Sequence, residues 1–410
     1  MGSGMKPIEL DGRTGEGGGQ LVRIAVGLAA LTSQPVTITN VRGNRQGGQG
    51  GGLKSQHVTS ITWLAEATDA HVEGLHVGSE TLTFIPRQPP TELSQRRFNI
   101  SADSGAASSL LVLQAILPFV LFASNEKGEP LELEISGGTN VAWSLSFEYF
   151  DQVLMPTLEE RFGISVEREL RKRGWSLGPQ SRGSIWLRVH PVPRSQKLQY
   201  KPPPQHTFPE SYEVKSIDVS IIVPRTLHEQ LQGGLVKGLG VLFPDAAVCF
   251  KLSEDSGNDA RWSILLMAHS SAGIRWAREV LCSMPKRTKS RDIFIAQLSN
   301  SLCRGLYEEV SQRGTVDEHL QDQVVAFQAL AEGLSSFPRG DHPTEVNALA
   351  DGVGGLDISN RRMRREKTHE PFGHGSSHTQ TARWVASEVL PHVEFYNRGD
   401  FVKGIGYSLS

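Results

Sequence analysis

Apolar and polar positions follow two rhythms along the chain, one typical of strands and one typical of helices. A strand pattern near Pro35 to Val41 is followed by a helical pattern from about Lys54 to Thr68 and by a strand pattern near Glu80 to Ile85. An earlier helix, beginning around Gly19, carries its apolar residues on one face. We therefore expect alternating strands and helices, with the polar face of this first helix available to a ligand.

The same plan recurs further along the chain. A helix from about Ser104 to Ala123 precedes an alternating strand over Leu131 to Ile135. A third helix is expected near Thr315, where Thr315 and Glu318 match a capping box, and a last helix follows the polar segment around His378. The similarity between these segments is architectural, because no repeat can be read in the sequence itself.

The segments between these patterns predict how the chain divides. A proline-rich run opens a differently composed region that continues to about Lys286, which we interpret as an inserted small domain. We therefore expect a large domain over residues 5–195 and 287–410, and a small domain over residues 196–286. Residues 335–375 lack periodicity and are predicted to form a mobile loop.

Length, charge and cysteine content narrow the class of protein. With 410 residues, the chain is long enough for two or more folding units. Its formal net charge of −2 argues against nucleic-acid binding by bulk electrostatics, so any nucleic-acid contact must be local. The cysteines lack metal-ligand spacing and favour a reducing compartment. The longest apolar run, Leu110 to Ala123, is too short to cross a membrane, and no membrane contact is expected.

Two segments near the N-terminus carry residues suited to phosphate binding. Asp11 to Gln20 is rich in glycine and leads into the helix that carries Arg23. Consecutive glycines let backbone N–H groups approach an anion, although a plain tight turn has the same pattern. Arg42 and Arg45 lie beside a second glycine run, where they can hold phosphates bidentately or remain solvated.

A third segment places His378 at the start of a helix, within the run Ser376 to Arg383. The positive potential at a helix N-terminus disfavours imidazolium, so the ring stays neutral and can act as a nucleophile. The alternative role for this residue is that of a capping or structural histidine.

Taken together, these ordered segments resemble the RNA 3′-terminal phosphate cyclase family over most of the chain. The motifs that carry the resemblance are Glu16-Gly17-Gly18-Gly19-Gln20, Gln56-His57, Gly137-Gly138-Thr139-Asn140, Gly314 to Gln323, and His378-Thr379-Gln380-Thr381, with Gly404-Ile405-Gly406 near the end. The resemblance implies an α+β fold: a large domain of three repeated units, each a β-sheet backed by two helices, with a small α/β domain inserted before the third unit.

The resemblance also implies an ATP-dependent enzyme that closes a 2′,3′-cyclic phosphate at RNA 3′ ends. In the family a histidine takes AMP from ATP, the AMP passes to the RNA 3′-phosphate, and the neighbouring 2′-OH expels it. His378 occupies the matching position, and the cleft should bring it close to Glu16. ATP and Mg²⁺ or Mn²⁺ are the implied cofactors and RNA 3′ ends the implied partner, without an obligatory protein partner.

The resemblance assigns further residues to the ATP site and to the metal, and the chemistry of the arginines and their neighbours assigns others to RNA. The expected site is His378 as the catalytic residue, Gln114, His319, Asp322 and Gln323 for ATP, Glu16 for the metal, and Arg23, Arg42, Arg45, Gln56 and His57 for the RNA terminal phosphate.

Some positions depart from the family's pattern. His319 stands where the family usually has Tyr, Leu145 replaces a proline, and Arg173 to Gly178 replaces a glycine-rich stretch. The loop that carries Arg42 is also longer than usual. These departures bear on substrate details and catalytic efficiency more than on the class of reaction.

Two other functions remain open. A cyclase-like factor in ribosome assembly or pre-rRNA processing would share the fold, but such members lack the histidine that stands here at position 378. Another transferase on related α/β units, such as an enolpyruvyl transferase, would need basic clusters for small anions and would not need His378. The basic run Arg361 to Lys367 fits a nuclear signal or a solvated loop; we expect the nucleus, with the cytoplasm as the alternative.

Overall fold

The computed structural model describes residues 6–44, 50–102, 106–203, 209–285, 290–340 and 363–409. Its helices are α1 (Gly19–Thr32), α2 (Ser55–Thr68), α3 (Ser109–Leu121), α4 (Phe147–Tyr149), α5 (Met155–Phe162), α6 (His228–Leu242), α7 (Arg291–Ser311), α8 (Glu318–Leu330) and α9 (Ser377–Val389). A π-helical stretch, Phe150–Leu154, joins α4 to α5.

The strands of the described residues form four separate sheets. They are β1 (Ile8–Asp11), β2 (Val36–Thr39), β3 (His71–Glu73), β4 (Leu82–Ile85), β5 (Arg97–Ser101), β6 (Leu131–Gly137), β7 (Ser165–Lys172), β8 (Gly183–His190), β9 (Val214–Val223), β10 (Ala247–Asp255), β11 (Trp262–Ser270), β12 (Arg275–Cys282), β13 (Glu332–Ser336), β14 (Glu394–Tyr396) and β15 (Phe401–Ile405). The protein therefore has the α+β architecture expected from the sequence.

The first two sheets have the same topology. Their strand orders are β1-β2-β4-β3 and β5-β6-β8-β7. In each, the first two strands are parallel and the remaining neighbours are antiparallel. One helix connects the parallel strands, and further helical segments connect the second strand to the third. These are two copies of one β-α-β-α-β-β plan.

The third sheet, of order β13-β15-β14, repeats the antiparallel part of that plan. The position that a first parallel strand would take is occupied by the segment around Gln199, which forms a parallel bridge to Glu332. The backbone N–H of Glu332 donates to the carbonyl of Leu198 at 2.8 Å. We propose that the third unit begins near residue 198, before the small unit.

The fourth sheet, of order β10-β9-β11-β12, belongs to the small unit and has a different topology. Helices α6 and α7 pack on each other, and α7 contributes Ile295, Leu302 and Leu306 to the same apolar core as β9 and β11. Because of this packing, we propose that the small unit extends through α7, beyond the boundary expected at residue 286.

Arg173 links the small unit to the second sheet. Its guanidinium forms ion pairs with Glu148, at 2.8 Å, and with Glu254 on β10, at 2.7 Å. Nearby, the side-chain amide of Asn140 donates to the hydroxyl of Ser263 at 3.1 Å. The segment that departs from the family's pattern therefore helps to attach the small unit.

Helix α1 lies at the centre of the large core. It contacts α2, α3 and α9, and Gly27 allows a close approach to α3, because a Cβ there would lie 2.4 Å from the carbonyl oxygen of Ala115. Residues Gln20 to Leu31 are buried apart from Arg23, which is half-buried. Helices from distant parts of the chain therefore cover Gln20 on the polar face predicted for α1, and Arg23 remains its partly exposed residue.

The predicted elements match the described ones closely, with one correction at α8. The side chain of Asp317, not Thr315, caps this helix by accepting from the backbone N–H groups of His319 and Leu320. Within the described part of the chain, no helix is long and apolar enough to cross a membrane. Much of the loop predicted over residues 335–375 lies outside the described residues, as do Arg361 and Arg362 of the basic run.

Candidate active site

The glycine-rich segment before α1 keeps a small space clear at the start of that helix. A Cβ on Gly18 would lie 2.2 Å from a carboxylate oxygen of Glu16. A Cβ on Gly19 would lie 2.4 Å from Nε2 of His57 and 2.8 Å from Nη1 of Arg23. Any side chain at these two positions would displace three of the predicted site residues, so the glycines have a role beyond a tight turn.

A second contact ties this segment to α9. The backbone N–H of Glu16 donates to the hydroxyl of Thr381 at 2.9 Å, and that hydroxyl donates to the carbonyl of Ser377 at 2.7 Å. His378 follows Ser377 in the first turn of α9, which the hydroxyl of Ser376 caps by accepting from the N–H of Thr379. Residues from the two ends of the chain therefore meet at one place.

His378 lies beside Glu16, as the sequence predicts. Its Nδ1 is 4.0 Å from Oε2 of Glu16, whose side chain is 6% exposed, whereas the imidazole is 48% exposed. A buried carboxylate thus lies next to a histidine that a substrate can reach.

Gln20 fixes the orientation of the His378 ring. Its side-chain N–H donates to the carboxylate of Asp322, so its oxygen must face the other way, 2.9 Å from Nδ1 of His378. An amide oxygen can only accept, and therefore Nδ1 of His378 is the protonated nitrogen and Nε2 carries the lone pair. This orientation holds when Asp322 is ionised.

Burial controls the ionisation of Asp322. It raises the pKa of the carboxyl from 3.8 to about 7, although the positive charge of Arg23 and the hydrogen bonds from Gln323 and Gln20 oppose the shift. The amide of Gln323 donates to the carboxylate at 2.9 Å. The state of Asp322 therefore changes close to neutral pH.

A line of side chains joins α1, α3 and α8. Nε of Arg23 donates to the amide oxygen of Gln114 at 2.6 Å, and the amide nitrogen of Gln114 donates to the oxygen of Gln323 at 2.9 Å. Burial lowers the pKa of Arg23 to about 10, which leaves the guanidinium charged at neutral pH. Three of the predicted site residues, from three units, are thus in direct contact.

His57 lies against Arg23 in the opposite arrangement. Its Nδ1 accepts from the backbone N–H of Lys54 at 3.0 Å, so Nε2 carries the proton, 3.5 Å from Nη1 of Arg23. Burial and then the positive charges of Arg23, Arg42 and Lys54 hold the pKa of His57 well below 6.5, so the ring is neutral. The N–H groups at Nε2 of His57 and Nη1 of Arg23 lie side by side. A single anion next to them would accept a hydrogen bond from both.

Arg42 lies close to Arg23 and His57, and we call these three residues the cationic pocket. Arg42 has a φ of 57°, and its guanidinium donates to the carbonyl of Gly52 at 3.3 Å. Gln56 follows the same loop, is half-buried and lies next to His57 in the first turn of α2. Arg45 lies outside the described residues.

One half-buried face of α8 carries three of the residues predicted to bind ATP. His319, Asp322 and Gln323 are spaced so that they share one face of this helix. The His319 ring meets Tyr149 edge to face, with ring centroids 6.3 Å apart, and the Tyr149 hydroxyl donates to Asp317 at 2.6 Å. A half-buried aromatic ring therefore stands where the family usually has Tyr.

The donor set fits a hard divalent cation only with help from a substrate. In the described ranges, no group of three or more His, Cys, Asp or Glu side chains is placed to hold a metal. Glu16 presents one buried carboxylate beside His378. Magnesium is commonly held in this way, by one carboxylate together with substrate phosphates and water.

Gln20 is the site residue that the sequence left unassigned. It is 1% exposed and connects Asp322 to His378. Its place at the end of the Glu16 motif was the indication in the sequence. The need for an amide there follows only from the fold, which brings Asp322 of α8 and His378 of α9 next to it.

Comparison with known proteins identifies the family. A family model described as RNA 3′-terminal phosphate cyclase matches residues 14–393. A protein of that name from Methanopyrus kandleri is 30% identical over 392 residues, covering 94% of each chain. One from Pyrobaculum aerophilum is 30% identical over 329 residues, which is 80% of this chain and 86% of the relative. One from Ignicoccus hospitalis is 40% identical over 185 residues, covering 45% and 48%. The chain belongs to the RNA 3′-terminal phosphate cyclase family.

Proposed function

We propose that this chain uses ATP to convert the 3′-terminal phosphate of an RNA into a 2′,3′-cyclic phosphate, with AMP carried first by His378 and then by the RNA. One observation carries the proposal: Gln20 accepts from Nδ1 of His378 at 2.9 Å, which leaves the lone pair on Nε2. Membership of the family supports the class of reaction, and the contacts around His378 support its role as nucleophile.

In the first step, Nε2 of His378 bonds to the α-phosphorus of ATP while the bond to the bridging oxygen breaks and pyrophosphate leaves. The ring becomes positively charged and keeps the proton on Nδ1, which donates to the amide oxygen of Gln20. Through Gln20, the carboxylate of Asp322 stabilises this charge. The shared face of α8, with Gln114 on α3, is the surface we propose for the adenosine.

In the second step, an oxygen of the RNA 3′-phosphate attacks the phosphorus of the AMP group, and the P–N bond breaks with its electron pair returning to Nε2. The 2′-oxygen then attacks the RNA phosphorus, AMP leaves, and the hydroxyl proton passes to solvent. Arg23, His57 and Arg42 would hold the terminal phosphate, which places the 2′-OH next to the phosphorus that it attacks.

Glu16 is the residue that would hold Mg²⁺ or Mn²⁺. When bound, the metal supplies neutralisation of phosphate charge. The carboxylate itself lies 4.0 Å from Nδ1 of His378, so its negative charge would also stabilise the positive ring that forms when the histidine takes AMP.

The test is incubation with α-labelled ATP and a divalent metal, followed by denaturing electrophoresis. Wild-type protein should gain label that is labile in acid and stable in alkali, as a phosphoramidate on histidine is, and His378→Ala should gain none. His392→Ala is the matched control, because His392 is exposed and follows the same helix. The absence of label on wild type under every metal condition would overturn the proposal.

The same experiment distinguishes the proposal from both alternatives. Neither a non-catalytic factor in ribosome assembly or pre-rRNA processing nor an enolpyruvyl-type transferase would gain label on His378. For cellular location, the nucleus remains the expectation from the basic run; the relatives named above are archaeal and lend it no support. Imaging of the tagged protein decides this point.

A further inference from the structure

Trp143 combines two unfavourable features on the surface of the second unit. Its side chain is 92% exposed, more than any other large apolar side chain among the described residues. Its backbone has a φ of 67°, in the left-handed region that bulky residues avoid. Strain and exposure at one aromatic residue indicate a position that serves binding rather than folding.

The turn that presents Trp143 is anchored on both sides. The N–H of Ala142 donates to the hydroxyl of Ser176 at 3.1 Å, and the hydroxyl of Ser144 lies 2.6 Å from that of Ser108. The next residue, Leu145, packs against the main core. The indole is therefore held on a fixed support.

The repeated topology gives this turn a defined place. In the first unit, the loop between the second strand and second helix carries Arg42 and leads into His57. In the third unit, the corresponding loop leads into His378. The counterpart in the second unit is the segment 138–146, which carries Trp143. The two counterparts both supply residues to the candidate active site.

A direct connection to the site supports this correspondence. Ser108, which contacts the turn, is the N-cap of α3 and accepts from the N–H of Leu111. Gln114, in the line of side chains that reaches Arg23, follows it on the same helix, about 9 Å further along at the rise of an α-helix. The turn thus lies at the rim of the site rather than at its centre.

We propose that Trp143 is a stacking platform for a base of the RNA strand, upstream of the nucleotide that bears the terminal phosphate. The inference rests on the proposed function. Aromatic side chains stack on any nucleobase, so a single exposed indole adds affinity for a strand without selecting its sequence. The adenine of ATP is the less suitable occupant, because Trp143 lies open to solvent at the rim while α8 offers a half-buried face.

Trp143→Asn and Trp143→Phe test the platform. Asparagine accepts a positive φ, so the first variant keeps the turn and removes the ring, whereas the second keeps an aromatic ring. Binding of a fluorescein-labelled RNA oligonucleotide with a 3′-phosphate is followed by anisotropy without ATP. We expect Trp143→Asn to raise the dissociation constant about tenfold and Trp143→Phe to change it much less. Labelling of His378 by ATP alone should be unchanged in both.

An abasic scan identifies the base that stacks. Removing the contacted base should weaken binding to wild type by a similar factor and should not weaken binding to Trp143→Asn any further. Equal RNA affinity of wild type and Trp143→Asn would overturn the inference, as would a loss that no abasic position reproduces. A changed oligomeric state with unchanged RNA affinity would assign the turn to contact with a second copy and also overturn it. Failure of wild type to gain label would instead count against the proposed function.

Discussion

Two histidines, each in the first turn of a helix, are fixed in opposite tautomers. His378 donates from Nδ1 to Gln20, whereas Nδ1 of His57 accepts from the backbone N–H of Lys54. The remaining ring nitrogen therefore carries a lone pair in His378 and a proton in His57. The same side chain becomes a nucleophile in one region and a donor to anions in the other, and the neighbour at Nδ1 makes the difference.

Exposure and charge extend this contrast. His378 is 48% exposed and lies beside the carboxylate of Glu16. His57 is 1% exposed and lies among the cations Arg23 and Arg42, which together with burial keep it neutral. A residue that must form and break a covalent bond is accessible, and one that only binds is enclosed.

The largest effect is expected from removing the hydrogen-bond acceptor that keeps the proton of His378 on Nδ1. Gln20→Met keeps the volume but removes the acceptor at Nδ1, so either ring nitrogen can carry the proton. We expect the rate of labelling by ATP to fall about 100-fold or more, since a catalytic histidine in the wrong tautomer loses several orders of magnitude. Single-turnover labelling measures this rate.

Gln20→Glu is the matched variant for that prediction. It keeps an oxygen facing Nδ1 of His378, and should retain more activity than Gln20→Met at a pH where one of the two neighbouring carboxyls is protonated. The prediction is contradicted if Gln20→Met is labelled at the wild-type rate while circular dichroism shows an intact fold. The reactive tautomer of His378 would then not depend on the acceptor at Gln20.

The pH dependence should report the same contact through Asp322. Its carboxyl has a pKa of about 7, and only the ionised form supplies the negative charge that, through Gln20, stabilises the positive ring of His378 after it takes AMP. Labelling at low ATP concentration should therefore rise as the pH passes about 7 and fall about tenfold for each unit below it. Asp322→Asn should lack this inflection.

A second group with a pKa of about 7 provides the control. Burial raises the pKa of Glu279, whose carboxylate accepts from the hydroxyl of Ser146 at 2.6 Å. Glu279→Gln should retain the inflection in labelling. If the inflection persisted in Asp322→Asn and disappeared in Glu279→Gln, its source would be Glu279. That outcome would contradict the prediction.

The stability of the fold should respond to Asp322 with the opposite sign. Because the pKa in the folded protein lies above the usual 3.8, the protonated carboxyl favours folding. This contribution is complete below about pH 4 and is lost as the pH rises through about 7. The pH range in which Asp322 supports catalysis is thus the range in which it supports the fold least.

His57→Ala should affect the two steps of the reaction differently, slowing cyclisation of the RNA more than labelling of His378 by ATP. Loss of the Nε2–H donor next to Arg23 should slow cyclisation of an RNA 3′-phosphate about 30-fold, the usual loss for a hydrogen bond to a charged group. Self-labelling with ATP should change by less than about threefold. Equal losses in both assays would show that His57 belongs to the nucleotide side.

The sequence predicted five of the helices and three of the strands, all in the large unit, because the periodicity of those segments is strong and local. It could not locate the first strand position of the third unit, since Gln199 and Glu332 are 133 residues apart and the small unit lies between them. It also placed the cap of α8 at Thr315, because the pattern of a capping box does not reveal which side chain reaches the backbone N–H groups.

For the site, the sequence predicted residue types and left their states undetermined. The closeness of His378 and Glu16 followed from the order of the motifs. The tautomers did not, because each depends on a neighbour brought from another helix or from the backbone, namely Gln20 for His378 and Lys54 for His57. The burial of Gln20 likewise results from α9 packing on α1 and from Asp322 of α8 reaching Gln20.

The smallest expected effect tests the space between the two regions, with Gly19→Ala compared with Gly233→Ala. At Gly19 the new methyl group would meet the far ends of two side chains, His57 at 2.4 Å and Arg23 at 2.8 Å. Both can move, so the fold should survive while the two donors separate, and the KM for an RNA 3′-phosphate should rise about tenfold, the order of one weakened hydrogen bond to a charged group.

Gly233 lies exposed on α6, and a methyl group added there would have no other atom within 4 Å, so alanine should only favour the helix, by about 1 kcal/mol. Thermal unfolding and RNA kinetics of the two variants measure these effects. If Gly19→Ala raised the KM for ATP and left that for RNA unchanged, the space above Gly19 would belong to the nucleotide. The assignment of His57 to RNA binding, as distinct from the reaction of His378 with ATP, would then be wrong.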